Sequence, residues 1–530
     1  MTVSADLGPI DKLMERATTL ASAWGARAKI ATTVGQERAL LRLFGVSGLD
    51  RAGRPLAGEV VDRYLAGNAR RLAGGVALPF AAALLEYEMA AQPLALEVAA
   101  GTIDLGLEAE VLRDAGRRAS AEAEVVRLTE AALDRIDANR VARRELLDVL
   151  GDAPRPWIGV PLGEADAMRA RSVLGGLVRD GVDLAVVTVP VGRELADRLH
   201  DAGVDVPGRR PYDRPDALLG SPDDTEEPPS GSQRGLAMMR QAADEAAAER
   251  RRYVRLASLA PGLAAPEQAV VAAFERIDVV VADPVAEIVE GRIDPDRALA
   301  DHSFAHRLHR RAGAHVLVGP GPLVVAPDLA RGEPSDPLTR AGRALALQAL
   351  GIALARYGGL SADQIVFGAF PLWLLDERQP TALAIAQVAV RRALFEGHPA
   401  AFSEPAPDAG QGSADARWPY VLAATMAYAG GTAVILREAT GPAVAAATAG
   451  ARAAATVAAE VAESSGPPPL TGPALAYAKA TVEAAVRTLE RLADLGWRDV
   501  IGEPMGGRRR ERLGADAVVE RVEAFDPLAS

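Results

Sequence analysis

Eight short apolar runs between residues 157 and 439 constrain the fold of this chain more than any other feature. Most are continuous rather than alternating, which is typical of parallel strands covered on both faces, and most precede an amphipathic helical pattern. Eight such strand–helix units in roughly 290 residues predict an α/β fold of the (β/α)8 TIM-barrel type, with an open doubly wound sheet as the alternative. The runs are Trp157–Leu162, Leu184–Val191, Tyr253–Ser258, Ile277–Pro284, His315–Gly321, Ile365–Pro371, Ala400–Pro407 and Thr432–Ala439.

Helical patterns flank the predicted barrel on both sides. In the first 150 residues, apolar side chains recur three and four positions apart, and long helical patterns also cover Pro442–Ser464 and Pro473–Leu495. We therefore predict an N-terminal helical extension over 1–150, the barrel over 151–440 and C-terminal helices over 441–530. Residues 206–235 are dense in Pro, Gly, Ser and Asp, which predicts a poorly ordered insert at the barrel end that carries active sites.

Composition and charge exclude several classes of function. The chain has no cysteine, which rules out disulfides, thiolate metal sites and a cysteine nucleophile. Its net charge of −12, without a basic stripe, argues against nucleic acid as a partner. The best membrane candidate, Pro442–Val461, contains Arg452 and Glu460, so we predict an ordinary helix there. Because no signal-peptide pattern is visible, we expect a cytoplasmic protein.

Four of the six histidines lie close together in the sequence. Three of them, His302, His306 and His309, occupy the i, i+4 and i+7 positions of one predicted helix face. A metal site would need neutral imidazoles that converge on one ion, whereas three arginines crowd the same helix with positive charge. We therefore predict a solvated polar helix face and no metal site.

Carboxylates at the ends of the predicted strands are the best candidates for catalytic residues. Asp283 closes the fourth strand, Glu404 lies in the seventh, Glu438 ends the eighth, and Glu267 begins the helix after the third. Carboxylates that converge in a water-poor barrel mouth acquire shifted pKa values that suit acid–base chemistry or ligand binding. The alternative is that Glu267 favours a helix N-terminus and that the others form structural ion pairs.

Other motifs that would indicate a cofactor are missing from the sequence. The turn Gly319–Pro322 contains two prolines, which lack the backbone N–H groups that a phosphate cradle needs, so we interpret it as a rigid turn. The chain contains no P-loop, no dinucleotide fingerprint and no cobalamin-binding Asp-x-His-x-x-Gly motif.

Two blocks of the sequence resemble the large (α) subunit of the lysine 5,6-aminomutase family. The first is Thr32–Gly45, TTVGQERALLRLFG, which matches the family's opening TTVxxERAxxRLxG pattern. The second comprises Arg252–Leu256, Gly262–Glu267, Phe274–Asp278, Asp283, Arg297, Asp301, Phe304 and Gly313, all in register with the family. The order of the strands and closing helices also agrees, so the resemblance covers nearly the whole chain.

The resemblance implies a barrel that binds pyridoxal phosphate at its mouth and pairs with a smaller β subunit in a hetero-oligomer. In the family, the β subunit supplies adenosylcobalamin and the Schiff-base lysine, and a radical reaction moves an amino group along an amino-acid substrate. Only three lysines occur in this chain, Lys12, Lys29 and Lys479, and the cobalamin motif is missing. Both features agree with a partner that supplies the lysine and the cobalamin.

The family's phosphate-binding positions are substituted in this chain. The arginine that ends the second strand and the serine beyond it correspond to Val189 and Glu194, and Glu194 would repel a phosphate. The Asp-Asn pair after the fifth strand corresponds to Gly321 and Pro322, and the insert 206–235 replaces a glycine-rich loop that contacts the phosphate.

The positions that contact the pyridine ring and the substrate are substituted as well. The serine near the ring nitrogen corresponds to Pro261, and the tyrosine stacked on the ring corresponds to Ala286. The arginine for the substrate carboxylate corresponds to Gly291, although the adjacent Arg292 would replace it if the register slips by one residue. The lost charge-assisted contacts, each worth about 1.5–3 kcal/mol, argue against pyridoxal phosphate binding in the family's manner.

The resemblance therefore implies the large subunit of an adenosylcobalamin-dependent isomerase similar to lysine 5,6-aminomutase. We expect a small cobalamin-binding β subunit as its partner and an amino-acid-like molecule as its substrate. One alternative is a diverged cobalamin-dependent radical mutase that no longer uses pyridoxal phosphate. Another is a non-catalytic scaffold that binds a β-type subunit.

Overall fold

The computed structural model describes most of the chain in sixteen separate stretches. These are residues 7–48, 50, 56–66, 68–162, 167–187, 233–259, 265–289, 293–319, 337–368, 389–403, 418–428, 430–436, 442–465, 472–497, 518–521 and 528. The structural statements below concern these residues.

Eight parallel strands close into a barrel in the order β2-β3-β4-β5-β6-β7-β8-β9. The ring closes where β2 pairs with β9, with Ile158 opposite Val434. The predicted TIM-type barrel is therefore confirmed, and the alternative of an open sheet is wrong. The strands are β2 (Trp157–Pro161), β3 (Leu184–Val187), β4 (Arg255–Leu259), β5 (Val279–Val281), β6 (His315–Val318), β7 (Ile365–Gly368), β8 (Ala400–Ser403) and β9 (Ala433–Ile435).

Side chains alternate between the inside of the barrel and the layer of surrounding helices. The inner cluster includes Trp157, Leu184, Val186, Val279 and Val366, and it is separate from the larger core outside the strands. At its base the Trp157 ring lies 3.7 Å from the Arg255 guanidinium carbon. The barrel is thus filled from its N-terminal end, as expected for this fold.

Helices cover the outside of the barrel and extend beyond it. Those that follow or link the strands are α8 (Ala167–Arg179), α9 (Gln233–Arg250), α10 (Ala265–Phe274), α11 (Pro284–Val289), α12 (Pro295–Ala312), α13 (Pro337–Tyr357) and α14 (Trp418–Tyr428). Two further helices, α15 (Pro442–Ser465) and α16 (Gly472–Leu495), agree with the predicted C-terminal pair. Helix α9 includes the last three residues of the predicted insert, while residues 206–232 lie outside the described residues.

The N-terminal segment is helical and packs against the barrel. Its helices are α1 (Ile10–Ile30), α2 (Val34–Leu43), α3 (Leu56–Leu65), α4 (Ala77–Glu86), α5 (Ala91–Ala100), α6 (Leu105–Val111) and α7 (Ala115–Leu150), with a 3-10 turn at Ala69–Gly74. Side chains of α2 to α7 share one hydrophobic cluster with Val270 of α10 and with Phe304 and Leu308 of α12. Helix α1 packs against α12, α13 and α16.

Two very short strands join the beginning and the end of the chain. Strand β1 (Ala31–Thr33) pairs antiparallel with β10 (Val518–Glu520), and the Arg521 N–H donates to the Ile30 carbonyl at 2.9 Å. Strand β1 ends at Thr33, and α2 begins at the next residue. In the described ranges, no helix combines the length and apolar character needed to cross a lipid bilayer.

Candidate functional site

The C-terminal ends of the barrel strands define the face on which active sites of this fold lie. Three of the residues singled out in the sequence lie near this face within the described ranges: Glu267, Asp283 and Ala286. The other candidates, Glu404, Glu438, Val189, Glu194, Pro261, Gly291, Arg292, Gly321 and Pro322, lie outside the described residues. A catalytic or binding role for them stays a prediction.

Glu267 lies in the first turn of α10 and is fully buried. Its Oε1 accepts a hydrogen bond from Nε of Arg42 at 3.3 Å, and the Arg42 side chain is equally buried. The pair therefore joins α2 of the N-terminal segment to the helix that follows β4. Glu267 lies in the first turn of its helix, as the structural alternative for it has it, and it also forms a buried ion pair that the sequence did not predict.

Asp283 lies two residues after the end of β5 and is buried between the barrel and α13. Its Oδ1 accepts from the backbone N–H of Val285 at 2.9 Å, which caps the first turn of α11. On the α13 side, a Cβ added to Gly351 would lie 2.9 Å from the same oxygen, so the glycine makes room for the carboxylate. Burial raises the pKa of Asp283 to about 6, although the Val285 N–H and the nearby His302 act in the opposite direction.

Glu287 extends the buried polar group by one turn of α11. Its Oε2 lies 2.9 Å from Nε2 of His302 on α12. Burial raises the pKa of Glu287. Burial alone would lower the pKa of His302, but the adjacent Glu287 carboxylate raises it above the usual value. The pKa values of both side chains are thus raised, that of Glu287 by burial and that of His302 by the Glu287 carboxylate.

The buried polar contacts continue from His302 to the N-terminal segment. The neighbouring Asp301 accepts hydrogen bonds from Arg297 Nε and from the Thr33 hydroxyl. Gln36 adds a bond from its side-chain amide to the Ala300 carbonyl at 2.7 Å. Residues of the TTVGQER block thus form a polar junction with α12, next to the end of β5.

The histidine row on α12 faces the protein interior, so the predicted solvated face is wrong. His302, His306 and His309 are only 1%, 2% and 1% exposed. Burial lowers the pKa of His306 well below the usual value and that of His309 to about 3, so both rings are neutral at pH 7. The i, i+4, i+7 spacing marks one helix face without saying whether that face is wet. Within the described ranges, no group of His, Asp and Glu is arranged to hold a metal ion.

Ala286, which the resemblance aligns with the family's ring-stacking tyrosine, lies in α11 and is partly buried. Its methyl group offers neither an aromatic face nor a hydrogen bond to a pyridine ring. On the neighbouring helix α12, Arg297 and His302 contact Asp301 and Glu287. The described residues of this region therefore do not fit pyridoxal phosphate bound in the manner that the resemblance implies.

Three further buried polar residues in the described ranges lie near the strand ends and were not predicted from the sequence. Gln348 of α13 donates to the Gly368 carbonyl at 2.5 Å and accepts from Arg391 Nε at 2.7 Å. Burial lowers the pKa of Arg391 to about 9. Ser258 of β4 accepts from the Gln268 amide at 2.9 Å. Gln348 and Ser258 are single polar residues between apolar neighbours, Arg391 is followed by Arg392, and no motif or spacing signals any of the three.

The sequence of this barrel matches a known protein family. A family model described as the TIM-barrel domain of the D-lysine 5,6-aminomutase alpha subunit matches residues 4–200 and 229–408. A lysine 5,6-aminomutase alpha subunit from Fusobacterium nucleatum is 26% identical over 402 residues, covering 76% of this chain and 71% of the relative. The corresponding subunit from Acetoanaerobium sticklandii is 25% identical over 367 residues, covering 69% of this chain and 64% of the relative.

One solved structure with a barrel-sized alignment is more distant in sequence than these relatives. A rubisco-like protein from Burkholderia fungorum aligns with 64% of this chain and 68% of its own, at 14% identity and a TM-score of 0.35. That superposition is too loose to bear on the fold or the function.

Proposed function

Because the chain belongs to the family of D-lysine 5,6-aminomutase alpha-subunit barrel domains, we propose that it is the large subunit of an isomerase that moves an amino group within a small amino acid. The observation that carries this proposal is the family match over residues 4–200 and 229–408, which include seven of the eight barrel strands. The residues Thr33, Gln36 and Arg42 of the matching opening block also form the buried contacts described above.

The barrel suits a reaction that must exclude water. Trp157 and the side chains around it fill the N-terminal end of the ring, so a substrate enters from the opposite, C-terminal end. A closed, water-poor interior protects a reactive radical from side reactions. The proposal therefore includes a partner subunit that covers the mouth and binds adenosylcobalamin, which supplies the radical when bound.

The chain's own residues near the mouth are proposed to orient the substrate. Helix α11 is fixed by Asp283 at its start and by Glu287 against His302, so the helix holds a defined position near the mouth. Glu404, predicted within the seventh strand, and Glu438, predicted at the end of the eighth, would hold the ammonium groups of an amino-acid substrate. Ala286 favours a second candidate function, a radical mutase that does not use pyridoxal phosphate, because an alanine cannot stack on its ring.

The direct test is reconstitution. The chain should be purified with the cobalamin-binding subunit of the same organism, recognised by its Asp-x-His-x-x-Gly motif, and supplied with adenosylcobalamin and diamino acids. We expect migration of an amino group, followed by NMR, and an organic radical signal in electron paramagnetic resonance, both dependent on adenosylcobalamin. Absence of product and radical with every amino acid tested, despite a stable complex, would leave the scaffold alternative.

The same preparation separates the two isomerase candidates. If the family's coenzyme is used, pyridoxal phosphate gives a visible absorbance band that shifts when a diamino acid is added, and turnover requires it. If the second candidate is right, turnover persists without pyridoxal phosphate and no such band forms. Glu404→Gln and Glu438→Gln should raise KM in either case if the two carboxylates hold the substrate.

A further inference from the structure

A cleft of about 530 Å³ lies at the end of the barrel opposite the mouth. Its walls come from the last turns of α1 and α12, from the end of α13 and from the middle of α7. Helices α12 and α13 end just before strands β6 and β7 begin, which places the cleft on the N-terminal side of the ring. This volume lies within the usual range for sites that bind small molecules.

Positive charge dominates the described walls of this cleft, although the whole chain carries a net charge of −12. The charged residues in its lining are Lys29, Asp137, Arg140, Arg307, Arg310 and Arg311. Asp137 is shared by Arg311 at 2.8 Å and by Arg140 at 3.4 Å. Among the described residues, neither Lys29 nor Arg310 contacts a carboxylate, so the described walls present five basic side chains and one carboxylate.

The carbonyl groups at the helix C-termini do not explain why these basic side chains cluster in the cleft. Basic residues often cluster at helix C-termini because the last carbonyls carry partial negative charge. Here other groups already engage those carbonyls in α12: Arg143 Nη1 donates to Ala312 at 2.7 Å, and the Gln364 amide donates to His309 at 3.3 Å. The C-terminal carbonyls of α13 accept from the backbone N–H groups of residues 358–360.

The aromatic wall of the cleft is held in place by packing. Tyr357 is 43% exposed, and its ring lies against Gly25 of α1, where an added Cβ would approach the ring carbon Cδ1 to 2.3 Å. Gly359, which also lines the cleft, leaves room for Arg310, since a Cβ there would lie 3.0 Å from Nη1. Glycines thus allow the ring of Tyr357 and the guanidinium of Arg310 to occupy these positions.

We propose that this cleft is a binding site for a small polyanion that carries several phosphate or carboxylate groups. Lys29 and Arg310 would supply the first contacts, because a guanidinium binds phosphate or carboxylate oxygens in a bidentate way and an ammonium adds a point charge. Arg140, Arg307 and Arg311 would add to the attraction from the cleft walls. The site lies at the far end of the barrel from the mouth, so it is independent of the function proposed above.

The test is isothermal titration of the full chain with inorganic tripolyphosphate and, separately, with citrate at low salt. We expect saturable binding of at least one of them, and a tenfold or greater rise in Kd for the double variant Lys29→Ala/Arg310→Ala. The matched control is Arg70→Ala/Arg179→Ala, which removes two exposed arginines outside the cleft and should change Kd by less than twofold. Preference for one probe identifies the phosphate or the carboxylate source.

Three outcomes would overturn the proposal: binding of neither probe, equal loss of binding in the control variant, and a double variant that binds as tightly as the wild type. Binding of poly-glutamate in the absence of binding of either small anion would also contradict it, since that result would indicate a peptide surface. Circular dichroism checks that both double variants fold. Should the alanine pair fail to fold, Lys29→Gln/Arg310→Gln tests the same two charges.

Discussion

At the scale of single residues, Asp283 shows how its surroundings alter a carboxylate at the end of a barrel strand. The side chain points into the layer between the barrel and α13, where Val285 and Gly351 surround it. Burial disfavours the ionised form and raises the pKa to about 6. The same carboxyl group caps the first turn of α11, so its protonation is linked to the position of that helix. A catalytic role for Asp283 stays a prediction.

This shift predicts a pH dependence of folding stability. The folded pKa of Asp283 is about 6 against an ordinary value of 3.8, so the folded state binds the proton more tightly than the unfolded state. The protonated Asp283 side chain adds to the free energy of unfolding, and this contribution is fully present below about pH 4. It is lost as the pH rises to about 6, which lowers the free energy of unfolding by about 3 kcal/mol. We expect Asp283→Asn, which keeps the oxygen that caps α11, to remove this loss.

Urea denaturation at pH 4, 5, 6 and 7 measures the effect as the difference between variant and wild type. That difference should shift in favour of the variant as the pH rises through this window. Asp148→Asn on α7 is the control, because its exposed carboxylate loses little solvation on folding. Glu287 and His302 face the same buried region and also carry titratable groups. If the stability difference between Asp283→Asn and the wild type does not change with pH, the pH dependence belongs to these neighbours and its assignment to Asp283 is wrong.

The histidines of α12 show what residue spacing leaves open. Their periodicity identifies a common helix face, and the arginines among them suggest contact with water. In the structure the three rings point inward, and His306 packs against Gly358, whose missing Cβ leaves room for the imidazole. Which face is buried depends on residues more than 50 positions away, and the local sequence does not contain that information.

At the scale of elements, the ion pair between Arg42 and Glu267 fixes α2 against α10. Both side chains are almost fully buried, so each charge depends on the other for its solvation. We expect Arg42→Ala to lower the free energy of unfolding by about 3–5 kcal/mol, because it leaves Glu267 buried without this cation. Chemical denaturation followed by circular dichroism measures the loss.

An exposed ion pair of the same segment provides the control. Arg63→Ala removes the partner of Glu59 on α3, and because Arg63 is nearly half exposed we expect a loss of at most about 1 kcal/mol. The double variant Arg42→Met/Glu267→Gln should recover part of the stability lost in Arg42→Ala. Equal losses for Arg42→Ala and Arg63→Ala would show that the buried pair does not hold the two helices together.

The elements differ in how far the sequence predicts them. The barrel strands were predictable because a parallel strand buried on both faces forms a continuous apolar run. Seven of the eight predicted runs contain the observed strand, and only β4 is displaced, ending at Leu259 rather than Ser258. Strands β1 and β10 were not predicted, since three-residue strands that pair across almost the whole chain carry no local signal.

The candidate site was predictable in part only. The position of Asp283 at the end of β5 follows from the strand pattern, and the structure confirms that position. Its partners on α11, α12 and α13 could not be predicted, because they are joined by packing rather than by sequence proximity. For the same reason the role of Arg42 as the partner of Glu267 remained hidden in a block that could be recognised only by resemblance.

At the scale of the whole molecule, the N-terminal helices and the barrel share a hydrophobic core. One cluster includes Leu40 of α2 and Phe80 of α4 together with Val270 and Phe304 of the barrel helices. Helix α1 adds a second connection through Leu13 and Ala17, which belong to the core around the barrel, and its Trp24 lies 5.0 Å from Trp497 of the C-terminal segment, measured between ring centroids. Shared burial of this kind predicts that the two parts unfold together, even though the sequence divides them near residue 150.

This cooperativity can be tested from inside the barrel. Trp157→Ala removes a buried ring that contacts Arg255 and lies 6.2 Å from the His315 ring, so we expect a loss of about 3–5 kcal/mol. The chain has five tryptophans, so hydrogen exchange of the N-terminal helix amides follows that segment; this signal and the far-UV circular dichroism should shift to lower urea by the same amount. Trp157→Phe, which keeps an aromatic ring at this position, should lose far less. Separate transitions for the two probes would show that the N-terminal segment folds independently of the barrel, and the shared core would then be only a docking surface.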